Sequence, residues 1–192
     1  MKVVAIGGSV RPGSGTQKLL QAVLEELEDR GWTWELFGGS ELVLPPYEPD
    51  VTPGPGAARM IEAVRLCDAV LIGSPGYHGS LSGLVKNALD YLEALRDDIR
   101  PYLSERSVGL MVTAYGWQAA VTTLTALRQI VHALRGWPTP LGIAVNVAGL
   151  DGGVEAALAR PALSGRVHAL ADEMTVHARA FAGVRSTQDG FL

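Results

Sequence analysis

The sequence predicts a doubly wound α/β domain, in which a parallel β-sheet is covered by helices on both faces to give three layers. Short apolar runs alternate along the chain with longer segments whose apolar residues recur at helical spacing. Three of the apolar runs end in loops rich in glycine, serine or threonine. This alternation is typical of parallel strands joined by crossover helices.

Composition sets broad limits on the protein. Its 192 residues fit one domain over residues 1–192, with a core that needs neither disulfide nor metal. A formal charge of -4 argues against a nucleic-acid binder, which would carry a basic face. The single cysteine, Cys67, is expected to be a buried thiol in a reducing compartment. With no long apolar run and a strand expected directly after Met1, we expect a cytoplasmic protein without signal peptide or membrane contact.

The first predicted strand, residues 3–6, leads into a glycine- and hydroxyl-rich loop over residues 7–17. An amphipathic helix follows, with apolar residues at helical spacing from Leu19 to Leu27, and Gly31 marks its end. Such a loop is the usual phosphate site of an α/β protein, because backbone N–H groups, hydroxyls and the helix start all favour an anion. Arg11 adds a positive charge with forked donors suited to phosphate oxygens.

The spacing within this loop restricts the phosphate ligand. Gly8 and Gly13 have the separation found in a Walker A loop, but Ser14 and Gly15 stand where lysine and a hydroxyl residue are required. The dinucleotide fingerprint also fails, since Lys18 replaces its third glycine. We therefore expect a single terminal phosphate, as on a mononucleotide. The alternative is a glycine-rich turn that binds nothing.

The remaining elements follow from the same two patterns. Strands are predicted at the apolar runs, over residues 32–37, 69–73, 108–112 and 141–147. Helices are predicted from the apolar periodicity of residues 57–66, 81–95, 124–134 and 167–181. Residues 38–55 include five prolines and are expected to form a long connection without regular structure, of functional or interfacial use.

Five strands with right-handed crossovers predict the flavodoxin-like strand order 2-1-3-4-5. In that order, ligands bind beyond the carboxyl ends of the first, third and fourth strands. The loops after Ile6, Gly73 and Val112 all lie there. These three loops are therefore expected to form one site.

Several other site chemistries are excluded by missing residues. The ends of the first and third strands lack the acidic residues of a phosphorylated receiver domain. The four histidines have no cysteine or carboxylate partners at metal-ligand spacing, so no metal site is predicted. The chain also lacks a G-x-S-x-G elbow, which a serine hydrolase of this class needs.

Two longer motifs identify a family resemblance. Residues 8–16 read GSVRPGSGT, and residues 74–90 read SPGYHGSLSGLVKNALD. Together they resemble the NADPH-dependent FMN reductase family of flavodoxin-like proteins, the second motif being the more specific. The proline-rich residues 44–50 and the segment 113–127 are similar to further parts of that family. The resemblance therefore covers most of the chain.

The resemblance implies a non-covalently bound FMN and a homodimer, or a dimer of dimers, with the flavin near the subunit interface. The residues expected to hold the 5′-phosphate are Ser9, Arg11, Ser14, Thr16 and Gln17. Those expected along the isoalloxazine ring and ribityl chain are Pro75, Gly76, Tyr77, His78, Gly79 and Ser80. Those expected on the other side of the ring are Ala114, Tyr115, Gly116, Trp117 and Gln118.

The resemblance further implies an oxidoreductase that takes hydride from NADPH or NADH and passes it to a small acceptor such as free flavin, a quinone or an azo compound. Hydride transfer at flavin N5 depends on positioning, so no catalytic side chain is predicted. A shared ring face implies ping-pong kinetics. Two departures from the family bear on the acceptor: Gly76 is expected to open space beside the flavin, and Trp117 to cover the ring or lie at a surface or dimer interface.

Two alternatives keep the flavin but change the function. One is an FMN-dependent dehydrogenase of a specific biosynthetic intermediate, similar to enzymes that act on aminodeoxychorismate. The other is a flavodoxin-type electron carrier or flavin-binding regulator. A charge of -4 weakens the second, because flavodoxins tend to be far more acidic.

Overall fold

A computed structural model describes residues 1–189 of the chain, with side chains through residue 185. Its strands are β1 (Lys2–Gly7), β2 (Thr33–Phe37), β3 (Ala69–Tyr77), β4 (Ser80–Leu81), β5 (Ser107–Ala114), β6 (Trp137–Pro138) and β7 (Ile143–Asn146). Its α-helices are α1 (Gly15–Glu28), α2 (Pro55–Leu66), α3 (Gly83–Asp90), α4 (Trp117–Ala133), α5 (Gly153–Leu158) and α6 (Pro161–Asp189). Two 3₁₀-helices cover Gly39–Leu42 and Tyr91–Leu95.

The sheet is parallel in the order β2-β1-β3-β5, and the next position is shared by β6 and β7. The two short strands pair with successive parts of β5, β6 with its start and β7 with its end. The predicted order 2-1-3-4-5 is therefore confirmed, with a fifth position divided in two. The described residues form seven strands rather than the five expected, since β4 is a hairpin strand and Pro140, which has no N–H to donate, lies in the break between β6 and β7.

Alternate residues of β1 face opposite sides of the sheet. Val3 and Ala5 belong to the apolar layer that includes α1 and α6. Val4 and Ile6 belong to the layer that includes α2, α3 and α4. All four side chains are fully buried. Burial on both faces explains why the parallel strands read as continuous apolar runs, and it gives the three layers that the sequence predicts.

Three elements differ from the sequence predictions. The segment 38–55 was expected to lack regular structure, yet it contains the 3₁₀-helix Gly39–Leu42, which ends before the first proline. The single helix expected over residues 81–95 is divided, because α3 tightens into the 3₁₀-helix Tyr91–Leu95 without a break in its apolar face. The six-residue α5 was not predicted, since a helix this short shows no full apolar period.

Cys67 and Arg106 are buried together at the end of α2. The Cys67 thiol and the Arg106 Nε both donate to the Val64 carbonyl, at 3.2 and 2.9 Å. The other guanidinium N–H groups donate to backbone carbonyls of Arg65, Arg100, Tyr102 and Ser104. Arg106 thus binds two carbonyls at the end of α2, from Val64 and Arg65, and three carbonyls of the segment before β5. The expectation of a buried Cys67 is confirmed, and burial raises the pKa of its thiol to about 11.

None of the helices within residues 1–189 combines the length and apolar character needed to cross a membrane.

Candidate functional site

The loops that follow β1, β3 and β5 meet at one edge of the sheet and enclose a cleft of about 580 Å³. This volume lies within the range of roughly 300–1,000 Å³ that is usual for small-molecule sites. Ten of the residues predicted for the site line it: Ser9, Arg11, Ser14, Thr16, Pro75, Gly76, Tyr77, His78, Ala114 and Tyr115. Among the described residues, its lining includes two cationic side chains, from Arg11 and Lys18, and no carboxylate.

Gly7 directs the chain out of the sheet into the first loop. It has a φ of 149°, and a Cβ at this position would lie 1.9 Å from the Gly73 carbonyl oxygen. Only glycine therefore allows β1 and β3 to approach each other here. The Gly8 N–H donates to the same carbonyl at 3.0 Å, which fixes the start of the loop against the end of the central strand.

The first loop presents free donors at the start of α1. The Ser14 hydroxyl caps the helix by accepting the Gln17 N–H at 3.2 Å, and the Ser9 hydroxyl accepts the Arg11 N–H at 3.2 Å. Each hydroxyl keeps its own hydrogen for a ligand, because a hydroxyl is both donor and acceptor. The exposed Arg11 guanidinium has no side-chain partner in the described part of the chain. Together with the helix dipole, these groups form an arrangement suited to an anion.

Thr16 and Gln17 are less accessible from the cleft than their predicted role as phosphate ligands suggests. Thr16 lines the cleft, but it is only 2% exposed and its hydroxyl lies 2.6 Å from that of Thr113 on β5. The Gln17 side chain lies along a neighbouring groove on α1 with Lys18 and Glu25. Four of the five expected phosphate residues thus line the cleft, and Gln17 does not.

The second loop is a β-hairpin. β3 continues past Gly73 to Tyr77, and Tyr77 pairs with Ser80 of the antiparallel β4. The two residues between them, His78 and Gly79, have φ values of 51° and 85°. Positive φ at both positions is the mark of a type I′ turn, whose twist suits a tight hairpin. The hairpin brings Pro75 to His78 to the cleft, whereas Gly79 and Ser80 lie outside its lining.

Gly76 does not open space beside the cleft, so that expectation is wrong. A Cβ at Gly76 would lie 2.8 Å from Thr123 Oγ1 and 2.9 Å from the Ala114 Cβ. The missing side chain instead allows α4 to pack closely against β3. Thr123 Oγ1 is itself buried without a hydrogen-bond partner among the described residues.

The third loop is fixed by a side chain from β7. Asn146 Oδ1 accepts the N–H groups of Gly116 and Ala148 at 2.8 and 3.0 Å. Tyr115 is 83% exposed and lines the cleft. Trp117, the first residue of α4, instead lines an adjoining cavity, and Gly116 lies outside the lining of the cleft.

The cleft has a fourth wall that was not predicted from the sequence. Val147, Leu150 and residues 152–154 line the cleft after β7. Val154 packs against α1, where a Cβ at Gly15 would lie 2.7 Å from its Cγ2. The glycine-rich run GLDGG at residues 149–153 follows the last predicted strand and could have indicated this wall, because the carboxyl ends of parallel strands share one edge.

The described residues contain no cluster of three histidine, cysteine, aspartate or glutamate side chains that could hold a metal ion.

Comparison with known proteins gives consistent matches. Residues 1–149 match the family described as NADPH-dependent FMN reductase. An FMN-dependent NADPH-azoreductase from Staphylococcus saprophyticus is 34% identical over 157 residues, covering 76% of this chain and 77% of that protein. A crystal structure of an NADH:FMN oxidoreductase in its apo form has a TM-score of 0.72 at 19% identity, covering 91% and 88% of the two chains. A Streptococcus flavodoxin has a TM-score of 0.60 at 13% identity, covering 92% and 99%. The two structures establish a flavodoxin-like fold.

Proposed function

The chain belongs to the NADPH-dependent FMN reductase family, and on this premise we propose that its cleft binds FMN and transfers hydride from NADPH or NADH to a small acceptor. One observation supports this cleft as the proposed binding site of the cofactor. The three loops bring hydroxyl donors, an unpaired guanidinium, a hairpin backbone and two tyrosines to a single cleft of about 580 Å³. A phosphate and a planar ring each find a matching surface there.

The start of α1 would hold the 5′-phosphate. Ser9 and Ser14 offer hydroxyl hydrogens, and Arg11 offers a forked cation. The first-turn N–H groups of a 14-residue helix add partial positive charge. Thr16 and Gln17 belong to this proposal as supporting residues, Thr16 through its bond to Thr113 and Gln17 through its capped N–H.

The hairpin and the third loop would hold the ring. Tyr77 is 54% exposed and Tyr115 is 83% exposed, so each offers an aromatic face at the mouth of the cleft. Backbone from Pro75 to His78 would lie along the ring system. Rim contacts are proposed for the remaining predicted residues, Gly79, Ser80, Gly116 and Trp117.

The role of the chain in the reaction is positional. Bound FMN would supply the two-electron redox chemistry, and ping-pong order is proposed because nicotinamide and acceptor would use the same ring face in turn. The cleft walls would hold each reactant against the ring in turn, and good alignment is the main requirement of such a step. The described lining offers one imidazole, from the exposed His78, and no carboxylate, and no catalytic side chain is proposed.

Assembly and location are further parts of the proposal. Tyr115 and Val121 are 83% and 53% exposed beside the cleft, an apolar rim that a second copy would cover in a homodimer or dimer of dimers. The proposal includes no nucleic-acid partner, given the charge of -4. A cytoplasmic location is proposed because the single buried thiol fits a reducing compartment.

The test is anaerobic stopped-flow spectroscopy of the purified protein. The protein should be yellow, bleach with NADPH or NADH, and regain its colour with free flavin, a quinone or an azo compound. A colourless protein that also refuses added FMN would overturn the proposal. The comparisons do not favour a dedicated dehydrogenase or an electron carrier. If a defined metabolite bleached the flavin and neither nicotinamide did, the dedicated dehydrogenase would become the better proposal.

A further inference from the structure

A second cavity of about 230 Å³ adjoins the cleft, and Leu150 lines both. We call it the arginine cavity. It lies between the end of β7, the start of α4, and helices α5 and α6. Its apolar residues are Ala144, Val145, Leu150, Ala157, Ala162 and Leu163. The apolar lining favours an organic group over a bare ion.

Two exposed arginines, Arg160 and Arg166, are among the residues that line this cavity. Neither has a side-chain hydrogen bond or an ion pair anywhere in the described part of the chain, and no described carboxylate lines the cavity. By contrast, all three lysines are paired with carboxylates: Lys2 with Glu35, Lys18 with Glu155, and Lys86 with Asp90. Two unpaired cations facing one apolar cavity are therefore unusual in this chain.

The unpaired arginines of the described chain are concentrated at the cleft and the arginine cavity. Four arginine side chains make no hydrogen bond, ion pair or ring contact within the described residues: Arg11, Arg160, Arg166 and Arg179. Three of these four line the cleft or the arginine cavity. In a chain with a net charge of -4, unpaired positive charge is thus concentrated where reactants would bind. Guanidinium groups bind phosphate, sulfonate and carboxylate through forked, charge-assisted bonds.

The same cavity offers a surface for an aromatic ring. Trp117 lines it and is 59% exposed, so its indole is available for stacking. Asn146 also lines it, and its Oδ1 is already used by two backbone N–H groups. Its Nδ2 has no partner among the described residues and can donate to a ligand.

We propose that the arginine cavity binds an aromatic group that carries an anion, with the ring on Trp117 and the anion held by Arg160 and Arg166. Two reactants of the proposed reductase have this chemistry: the 2′-phosphorylated adenosine of NADPH, and an acceptor that carries a sulfonate or carboxylate. Naming the reactants rests on the proposed function, whereas the existence of the site does not. Both arginines lie beyond residue 149, outside the residues that match the family.

The first experiment measures binding without turnover. Isothermal titration calorimetry of the purified protein would compare adenosine 2′,5′-bisphosphate with adenosine 5′-monophosphate. The variants are Arg160→Gln, Arg166→Gln and the double substitution. Arg179→Gln is the matched control, because it removes an unpaired, exposed arginine from α6 away from the cavity. If the anion is the 2′-phosphate, each cavity variant should weaken bisphosphate binding about tenfold, as expected for a charge-assisted bond.

The second experiment identifies the source of the anion from KM values of the holoenzyme. If the source is NADPH, the double variant should raise its KM about 100-fold with kcat and the KM for NADH unchanged, since uniform binding is lost. If the source is the acceptor, the KM for a sulfonated azo compound should rise while that for a neutral quinone does not. Arg179→Gln should leave every value unchanged.

Unchanged bisphosphate binding together with unchanged KM values for NADPH and the sulfonated acceptor would overturn the arginine cavity as a site. Failure of the proposed reductase looks different, since the protein would then neither bind FMN nor bleach, while the calorimetric comparison could still be made.

Discussion

The hydroxyl groups of Thr16 and Thr113 lie 2.6 Å apart and join the first turn of α1 to the end of β5. Both residues are nearly buried, at 2% and 7% exposure. The loop proposed for the phosphate and the loop proposed for the ring are thereby held in a fixed relation. Thr16 therefore has a structural partner in addition to the ligand role that its sequence position suggests.

A double-mutant cycle measures this link. Thr113→Val leaves the buried Thr16 hydroxyl without its partner, so we expect the free energy of unfolding to fall by about 1–3 kcal/mol. Replacing both residues with valine should cost less than the sum of the single changes, since no unpaired hydroxyl remains. Thr125→Val, at an exposed hydroxyl bonded to the Val121 carbonyl of its own helix, is the control. Additive costs in urea denaturation would show that the two hydroxyls do not interact.

Gly76→Ala tests the packing of α4 on β3. The new methyl group would lie 2.8 Å from Thr123 Oγ1 and 3.3 Å from the Ala119 carbonyl oxygen, so α4 must shift. We expect a loss of about 1–3 kcal/mol in unfolding free energy, together with weaker FMN binding. Gly83→Ala, where a Cβ meets nothing within 4 Å, should be neutral or slightly stabilising. Equal stability of the two variants in thermal denaturation would contradict the close contact.

Arg11→Gln tests the phosphate end of the cleft. Loss of one charge-assisted contact should raise the Kd for FMN by about 10- to 100-fold. The Kd for riboflavin, which has no phosphate, should stay within about twofold of the wild-type value. Fluorescence titration measures both constants, and Arg179→Gln provides a control for the loss of charge alone. An equal loss for FMN and riboflavin would place Arg11 beside the ring.

The buried Cys67 thiol should make the free energy of unfolding depend on pH in the alkaline range. Burial raises the pKa of its thiol from 9.0 to about 11, so the folded state holds the proton more tightly than the unfolded state. The contribution of the thiol to the free energy of unfolding is therefore complete below pH 9 and is lost as the pH rises toward 11. The wild type should therefore lose about 2–3 kcal/mol more unfolding free energy over that range than Cys67→Ala. Parallel pH profiles in urea denaturation would contradict this effect of burial.

The fold was predictable because strands buried on both faces leave a clear signature. The runs at residues 69–73 and 108–112 locate the two central strands, and the loops after them follow directly. The features that were missed are local. The hairpin turn at His78 and Gly79 depends on two positive φ values, and a histidine in the sequence does not indicate such a conformation.

The lining of the cleft was predictable where a single loop supplies several neighbouring residues, as with Ser9, Arg11 and Ser14. The lining was less predictable where the packing of one element against another determines the surroundings of a residue. The environment of Gly76 depends on how closely α4 approaches β3, which no spacing in either segment reveals. Trp117, the first residue of α4, lines the adjoining cavity, and no spacing in the sequence indicates which of the two cavities it lines.

The most direct measurement is an equilibrium titration of the purified, flavin-free protein with FMN and with riboflavin. If the start of α1 binds the phosphate while the hairpin and third loop hold the ring, FMN should bind on the order of 100-fold more tightly than riboflavin. Equal affinity for the two flavins, or no affinity for either, would contradict this assignment of the cleft.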